Sequence, residues 1–230
     1  MISGSINDLK SMKQYVIMHT EVEFRFKVDP AAAKGFLSGM RFLKEERQKD
    51  VYLDTADGML FRMGVFLRER NGGTVDFKFN LEDPENRHEH CEEHSFALPF
   101  GQHDAERFSG VCARLGLAMP SRFHLDEFKK INGLGDFVII DKNRRKYHDG
   151  EFTFCLDDVS GFGTFLEIES MARESVDLDA LKRRMIWRVS DLRPEFLPTG
   201  YIELFVKQKD PELYKKGKYL LKVDRAKVCR

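Results

Sequence analysis

The sequence predicts a mainly β protein of the α+β class: an eight-stranded antiparallel closed β-barrel, or tunnel, with helices packed outside. Three observations support this prediction. Polar and apolar residues alternate in short segments along the chain, which is typical of antiparallel strands with one buried face. Short turn sequences such as Asn71-Gly72-Gly73 join pairs of these segments as hairpins. The strands follow one another as a meander, and closure into a barrel removes the exposed edges of such a sheet.

The first half of the chain supplies five of the predicted strands. The segment T-E-V-E-F-R-F-K-V predicts a strand over residues 20–28. Asp29 and Pro30 are suited to cap and begin a helix, which we predict over about 31–40. The further strands of this half are predicted at about 46–54, 64–70, 74–79 and 88–98.

The second half continues the same pattern. A helix is predicted over about 103–115, followed by a hairpin of strands at 137–147 and 151–157 around His148-Asp149-Gly150. A last strand is predicted at 164–170. Helices at about 177–190 and 211–217 complete the chain, the second one capped by Asp210-Pro211.

The composition excludes several classes of protein. The 230 residues are 42% hydrophobic, and 38 Lys+Arg balance 38 Asp+Glu. We find no repeat or linker and therefore predict a single domain over residues 1–230. The apolar runs are too short to span a membrane, and the zero net charge argues against a nucleic-acid partner. No leader sequence is evident and the four cysteines are scattered, so we expect reduced thiols and a cytoplasmic location.

Charged side chains recur on one face of strand after strand. They are Glu21, Glu23, Arg25 and Lys27; Arg68 and Arg70; Asp76 and Lys78; Lys142, Arg144 and Lys146; and Glu167 and Glu169. One interpretation is a set of solvated outer faces, with cross-strand ion pairs of at most about 1 kcal/mol each. In the other, helices cover the apolar faces from outside and the charged faces point into the barrel. Arg and Lys bind phosphate oxygens, whereas carboxylates suit Mg²⁺ or Mn²⁺, so this interior would bind a polyphosphate with its metal ion.

Several of these segments together resemble the CYTH proteins, also called triphosphate tunnel metalloenzymes. The matching segments are Glu21-Val22-Glu23-Phe24-Arg25 (the family's E-x-E-x-K strand), Tyr52-Leu53-Asp54-Thr55, Leu67-Arg68-Glu69-Arg70, Lys78, Lys142-Asn143-Arg144 with Tyr147, Leu156-Asp157 before Gly161 and Gly163, and Phe165-Leu166-Glu167-Ile168-Glu169. The resemblance covers about 19–207 and leaves a C-terminal helix and basic tail at 208–230. Length and tail are most similar to the thiamine-triphosphatase branch.

The resemblance implies a Mg²⁺- or Mn²⁺-dependent hydrolase that releases orthophosphate from thiamine triphosphate or inorganic triphosphate, a small-molecule partner. The phosphate-binding residues that we infer are Arg25, Lys27, Arg68, Arg70, Lys78, Lys142 and Arg144. The metal ligands are Glu21, Glu23, Asp157, Glu167 and Glu169, and the catalytic residues are Glu23, Glu169 and Arg25. The alternatives are an adenylate cyclase of the class IV type, which makes cyclic AMP from ATP, and a non-catalytic polyphosphate-binding module.

The sequence also departs from the family pattern. Arg25 replaces the signature lysine, and Thr199 and Gly200 stand close to where the thiamine-triphosphatase branch tends to carry a lysine. Either Glu92 or Glu93 could face the tunnel, and residues 117–135 have no clear family counterpart. Monomer and homodimer both remain open.

Overall fold

The computed structural model describes residues 20–81, 91–172, 176–221 and 224 of the chain. The strands are β1 (Thr20–Lys27), β2 (Arg41–Thr55), β3 (Val65–Arg70), β4 (Thr74–Phe79), β5 (Glu92–Ala97), β6 (Leu134–His148), β7 (Thr153–Val159), β8 (Gly163–Ala172) and β9 (Glu195–Leu197). The helices are α1 (Pro30–Leu37), α2 (Met59–Met63), α3 (Gln102–Leu115), α4 (Leu125–Ile131), α5 (Leu178–Arg188), α6 (Tyr201–Lys209) and α7 (Pro211–Lys215), with a 3₁₀ turn at Ser190–Leu192.

All strand pairs are antiparallel and form one sheet in the order β5-β4-β3-β2-β6-β7-β8-β1-β9. The mainly antiparallel sheet with helices is therefore confirmed, but the eight-stranded closed barrel is not. The described part of the chain forms nine strands, and β5 and β9 are left as edges. The three residues of β9, which the sequence did not predict, pair with β1 and occupy the edge that closure would have used. The sheet is nevertheless strongly curved, as a contact between two distant strands shows: Lys78 Nζ of β4 lies 3.6 Å from Glu23 Oε2 of β1.

Local sequence explains how the elements begin. The Asp29 carboxylate accepts a hydrogen bond from the Ala32 amide at 2.9 Å, and Pro30 takes the first position of α1, as predicted. Asp54, at the end of β2, accepts hydrogen bonds from the amides of Leu60 and Phe61, both at 2.8 Å. The short helix α2, which the sequence did not predict, begins five residues after Asp54, so Asp54 of the Y-x-D-T segment has a structural role there.

Helices cover the outer, apolar face of the sheet in two places. The helices α1 and α5 pack over β1, β7 and β8 in a core that includes Val22, Phe24, Leu37, Phe154, Ile168 and Met185. The helices α3 and α4 pack over β3, β4 and β5 in a core that includes Leu67, Phe77, Phe96, Phe108 and Phe128. Helix α4 lies in the stretch 117–135, for which the sequence had predicted no element. The inner face of the sheet is therefore free to carry charge.

The C-terminal helices do not follow the prediction that all helices pack outside. Tyr201, Ile202 and Phe205 of α6 share a buried core with residues of six strands, Tyr52, Phe66, Ile140 and Phe165 among them. Helix α6 was not predicted, whereas α7 lies in the predicted helix at 211–217. These two helices fill one end of the concave face and leave its other end polar. No helix in the described ranges is both long and apolar enough to cross a membrane.

Candidate functional site

The concave face of the sheet encloses a cavity of about 300 Å³ that is lined mainly by charged side chains. Its cations are Arg25, Arg68, Arg70, Lys78, Lys142, Arg144 and Lys146. Its carboxylates are Glu23, Asp50, Asp76, Glu93, Glu167 and Glu169. Strand register brings them together: Arg25 lies opposite Glu167, and Glu23 opposite Glu169, in the β1–β8 ladder. The period-2 pattern of the sequence therefore does place its charged faces on the inside.

One side of the cavity is lined by Arg25, Lys142, Arg144 and Glu167 on β1, β6 and β8, and Asp157 of β7 pairs with two of them outside the lining. We call these five residues the buried wall. Arg144 is its centre. The Arg144 guanidinium donates to both Asp157 oxygens, at 2.7 and 2.5 Å, and also to Glu167. Lys142 Nζ donates to Asp157 Oδ2 at 2.7 Å. Every charge in this group is met by an opposite charge, which is the condition under which charges can be buried.

Arg25 ties this network to the C-terminal part of the chain. Its Nε donates to Glu167 Oε1 at 2.7 Å, its Nη1 donates to the Thr199 carbonyl at 2.7 Å, and its Nη2 contacts Glu23. The guanidinium also lies over the Tyr201 ring, 4.3 Å from its centroid. Burial opposes the charge, yet Glu167 and Glu23 raise the pKa of Arg25 well above its ordinary value. An arginine in place of the signature lysine therefore makes a fork of contacts that one ammonium group could not.

The opposite side, which we call the accessible wall, consists of Asp50, Arg68, Arg70, Asp76, Lys78 and Glu93 on β2 to β5. Arg70 donates to both oxygens of Asp50, at 2.6 and 2.8 Å, and Arg68 donates to Asp76 at 3.0 Å. Lys78 Nζ lies 2.7 Å from Glu93 Oε1. The three cationic side chains keep 23–24% of their surface exposed, so they can meet a ligand without unfolding their surroundings.

The structure resolves the choice between the two glutamates of β5. Glu93 lines the cavity, whereas the Glu92 carboxylate accepts hydrogen bonds from Arg114 of the outer helix α3, at 2.6 and 2.9 Å. Because adjacent residues of a strand point to opposite faces, only one of them could face inward.

Two carboxylates of the cavity suit a divalent cation. Glu23 and Glu169 face each other across the β1–β8 ladder, and their hard oxygen atoms are of the type that Mg²⁺ or Mn²⁺ prefers. Ligand atoms of Glu169, Glu167 and Cys155 lie within 4.8 Å of one another. Burial raises the pKa of Glu169, while for Glu167 burial is outweighed by Arg144 and Arg25, which hold its pKa well below the usual range. The oxygens of Glu167 are thus already committed to Arg25 and Arg144, whereas Glu169 has only longer contacts, at 3.5 Å to Arg144 and 3.6 Å to Lys146, and is the carboxylate of this group more open to a metal ion.

Three other residues predicted for the site lie differently. Asp157 is fully buried, and its oxygens accept hydrogen bonds from Lys142, Arg144 and the Tyr201 hydroxyl, the last at 2.9 Å, which favours a structural role over metal binding. Lys27 is exposed and is not part of the cavity lining. Glu21 lies in β1 opposite Met171, and its side chain is outside the described part of the structure.

The sequence analysis missed some cavity residues. Lys146 was not named as a phosphate ligand, although it continues the alternation of Lys142 and Arg144 on the same strand. Tyr201 is buried between Arg25 and Lys142, whose Nζ lies 4.8 Å from its ring centroid. No periodicity marks Tyr201, because it comes from a helix that enters the concave face rather than from a strand.

Comparisons with known proteins agree with this architecture. A family model described as "CYTH domain" matches residues 19–195. A conserved hypothetical protein from Pyrococcus furiosus has a similar structure, with a TM-score of 0.54 and 23% identity over 80% of this chain and 99% of that chain. A putative adenylate cyclase from Vibrio parahaemolyticus has a TM-score of 0.54 and 19% identity, over 81% of this chain and 97% of that chain. A putative adenylyl cyclase from Hippeastrum, described as having a dominant triphosphatase activity, has a TM-score of 0.52 and 20% identity, over 84% of this chain and 96% of that chain. No curated protein matches the sequence.

Proposed function

Because the chain belongs to the CYTH domain family, we propose that it is a metal-dependent triphosphatase, which hydrolyses thiamine triphosphate or inorganic triphosphate in the charged cavity and releases orthophosphate. The observation that carries this proposal is the set of seven cationic side chains that converge on one cavity of about 300 Å³. A triphosphate chain presents several anionic oxygens at once, and cations on both sides of a cavity can contact them together.

The two walls contribute to binding in different ways. Arg68, Arg70 and Lys78 of the accessible wall contact the phosphate oxygens, because each keeps an exposed part of its side chain. Arg25 and Arg144 add fixed positive charge from the buried wall. Phosphoryl transfer depends mainly on positioning and on neutralisation of charge in the transition state, and preorganised cations supply both.

The carboxylates of the cavity would bind the metal ion and accept a proton. CYTH family enzymes use divalent metals, and Glu23 and Glu169, together with Glu21 two residues before Glu23, are the residues that would hold Mg²⁺ or Mn²⁺ here. Such an ion, when bound, neutralises phosphate charge and makes a water molecule more acidic. Glu23 or Glu169 accepts the proton of the attacking water.

The first test is product release from inorganic triphosphate, thiamine triphosphate and ATP, each with Mg²⁺, with Mn²⁺ and with a chelator. Metal-dependent orthophosphate from either of the first two substrates supports the proposal and identifies the substrate. Cyclic AMP and pyrophosphate from ATP would instead indicate a cyclase. Triphosphate that raises the melting temperature without any product would indicate a binding module.

A matched pair of variants ties the activity to this cavity. Glu169→Gln removes a charge from the cavity, whereas Glu151→Gln removes one from an exposed side chain that pairs with Arg184 at 3.3 Å. We expect the first variant to lose metal-dependent turnover and the second to keep it. Equal activity of both variants would contradict the assignment.

A further inference from the structure

Arg25 commits its guanidinium to three other parts of the protein. Its Nε donates to Glu167, its Nη1 to the Thr199 carbonyl and its Nη2 to Glu23, and the same Nη2 lies 2.6 Å from Glu167. Arginine carries its N–H donors in a fixed planar fork, so these contacts together set the orientation of the group. Arg25 is only 8% exposed, and the Tyr201 ring covers one face of its guanidinium at 4.3 Å. Little of the group is therefore left for a phosphate oxygen.

Glu23 is the contact of Arg25 that faces the cavity. Its Oε1 accepts a hydrogen bond from Arg25, whereas its Oε2 lies 3.6 Å from Lys78 Nζ, which is beyond hydrogen-bond distance. The Glu23 side chain keeps 18% of its surface exposed, compared with 2% for Glu167. Arg25 thus fixes one oxygen of this carboxylate and leaves the other to the cavity, where a divalent cation would bind.

The C-terminal part of the chain in turn fixes Arg25. Strand β9 pairs with β1 and places Leu197 opposite Arg25, and the Thr199 carbonyl that accepts from Nη1 follows two residues later. The Tyr201 hydroxyl donates to Asp157 at 2.9 Å, which holds the ring against the guanidinium. A lysine ammonium is a compact point charge and could not keep all of these contacts in one geometry.

We propose that Arg25 is a positioning residue, which orients the Glu23 carboxylate toward the metal ion instead of binding the triphosphate. The proposal rests on the function proposed above and gives a role to the arginine that replaces the signature lysine. Groups that hydrogen-bond a metal-ligating side chain fix its orientation, and their loss typically weakens metal binding about 10- to 100-fold. A lysine would supply the same positive charge to the cavity, so the guanidinium is needed for the orientation and not for the charge.

The test is Arg25→Lys, which keeps the charge and removes the fork, in two measurements that need no turnover. Titration of the substrate-free protein with Mn²⁺, followed by electron paramagnetic resonance of the free ion, measures metal affinity. Calorimetric titration with inorganic triphosphate in the presence of a chelator measures phosphate affinity. We expect the Kd for Mn²⁺ to rise about 10- to 100-fold and the Kd for triphosphate to change by less than about twofold.

Arg68→Gln is the matched control, because it alters a cation of the accessible wall that does not contact Glu23 among the described residues. It should show the reverse pattern, with weaker triphosphate binding and an unchanged affinity for Mn²⁺. If Arg25→Lys melts below the assay temperature, Tyr201→Leu replaces it, since this variant removes the ring that supports the guanidinium and leaves every charge in place. Its Kd for Mn²⁺ should rise by a smaller factor, and an unchanged Kd would overturn the proposal.

The possible failures can be told apart. Weaker triphosphate binding by Arg25→Lys with unchanged Mn²⁺ affinity would make Arg25 a phosphate ligand, which overturns the positioning role while the triphosphatase stands. Equal losses of both affinities, or no loss of either, would overturn it as well. A wild-type protein that binds both ligands without turnover would refute the triphosphatase and leave the comparison of the two affinities valid. If the wild-type protein binds neither ligand, both proposals fail.

Discussion

The two walls of the cavity carry the same types of residue on the same alternating pattern, yet their cations differ in exposure. In the buried wall, the side chains of Lys142, Arg144 and Glu167 are 2–8% exposed, and Arg144 alone contacts three carboxylates. In the accessible wall, Arg68 and Arg70 are 23–24% exposed. The comparison teaches that an inward-facing charge is not by itself a binding residue. Charges that are fully paired inside the protein hold the strands in place, whereas charges that still contact solvent are available to a ligand.

The largest effect should come from the centre of the buried wall. Arg144→Met removes the partner of Asp157 and Glu167 and leaves both carboxylates buried without it. Removal of one partner from a buried ion pair costs about 3–5 kcal/mol, so we expect a loss of that size in the free energy of unfolding. Urea denaturation at neutral pH measures it.

The neighbouring residue provides the control. Arg145 points to the other face of β6, and its contacts to Glu45 and Asp158 are long, at 4.0 and 3.8 Å. Arg145→Met should cost less than about 1 kcal/mol. If both variants lost the same stability, the distinction between a structural wall and the rest of the sheet would be wrong.

A second prediction concerns two buried glutamates that differ in their partners. Glu167 touches Arg25 and Arg144 and has a lowered pKa, whereas burial raises the pKa of Glu203 on α6 to about 7 despite the attraction of Arg25 and Lys78. Between about pH 4.5 and pH 7, Glu203 is protonated in the folded protein, whereas the same carboxyl in the unfolded chain, with its ordinary pKa of 4.5, has lost its proton. Stability attached to Glu203 is therefore present below about pH 4.5, declines as the pH rises and is fully lost above about pH 7.

Glu203→Gln removes this titration. Relative to wild type, we expect the variant to gain up to about 3 kcal/mol between pH 5 and pH 8, measured by urea unfolding of both proteins at each pH. The exposed Glu195→Gln is the matched control and should show no such trend. A wild-type protein whose stability relative to Glu203→Gln rises with pH would show that Glu203 is ionised in the fold, as Glu167 is.

The third prediction tests the accessible wall itself. Arg68→Gln should weaken the binding of inorganic triphosphate by about 10- to 100-fold, because a charge-assisted contact to phosphate is lost. Stability should change little, since Asp50 keeps both bonds from Arg70 and Asp76 keeps the Ser95 hydroxyl at 2.6 Å. Calorimetric titration with triphosphate in the presence of a chelator measures affinity without turnover. A large loss of stability with unchanged affinity would place Arg68 in the buried wall.

Much of the fold could be predicted because the sheet separates charge from apolar residues at every second position. Where both faces meet solvent, this signal disappears: β2 begins at Arg41, but residues 41–45 are all exposed and the predicted strand started only at residue 46. The three-residue β9 is too short to show a period. Helix α6 was missed because it buries polar Tyr201 and Glu203 alongside its apolar residues.

The site could be predicted in part for a related reason. Alternation along a strand tells which face a side chain occupies, but not how far along the strand the cavity extends, nor which carboxylates are already bound by cations. Asp157 therefore resembled a metal ligand in sequence, although its oxygens are occupied by Lys142, Arg144 and Tyr201. Lys27 resembled a phosphate ligand because it shares a face with Arg25, although the cavity ends before it.

The smallest effect is expected at this last position. Lys27→Gln removes a positive charge from the same strand face as Arg25, but the side chain is exposed and outside the cavity lining. Solvent and salt screen such a charge, so the affinity for triphosphate should change by less than about twofold at 0.15 M salt. The same calorimetric titration, run beside Arg68→Gln, measures it. A loss of tenfold or more would mean that the ligand reaches past the cavity along β1 and that binding residues follow the strand face rather than exposure within the cavity.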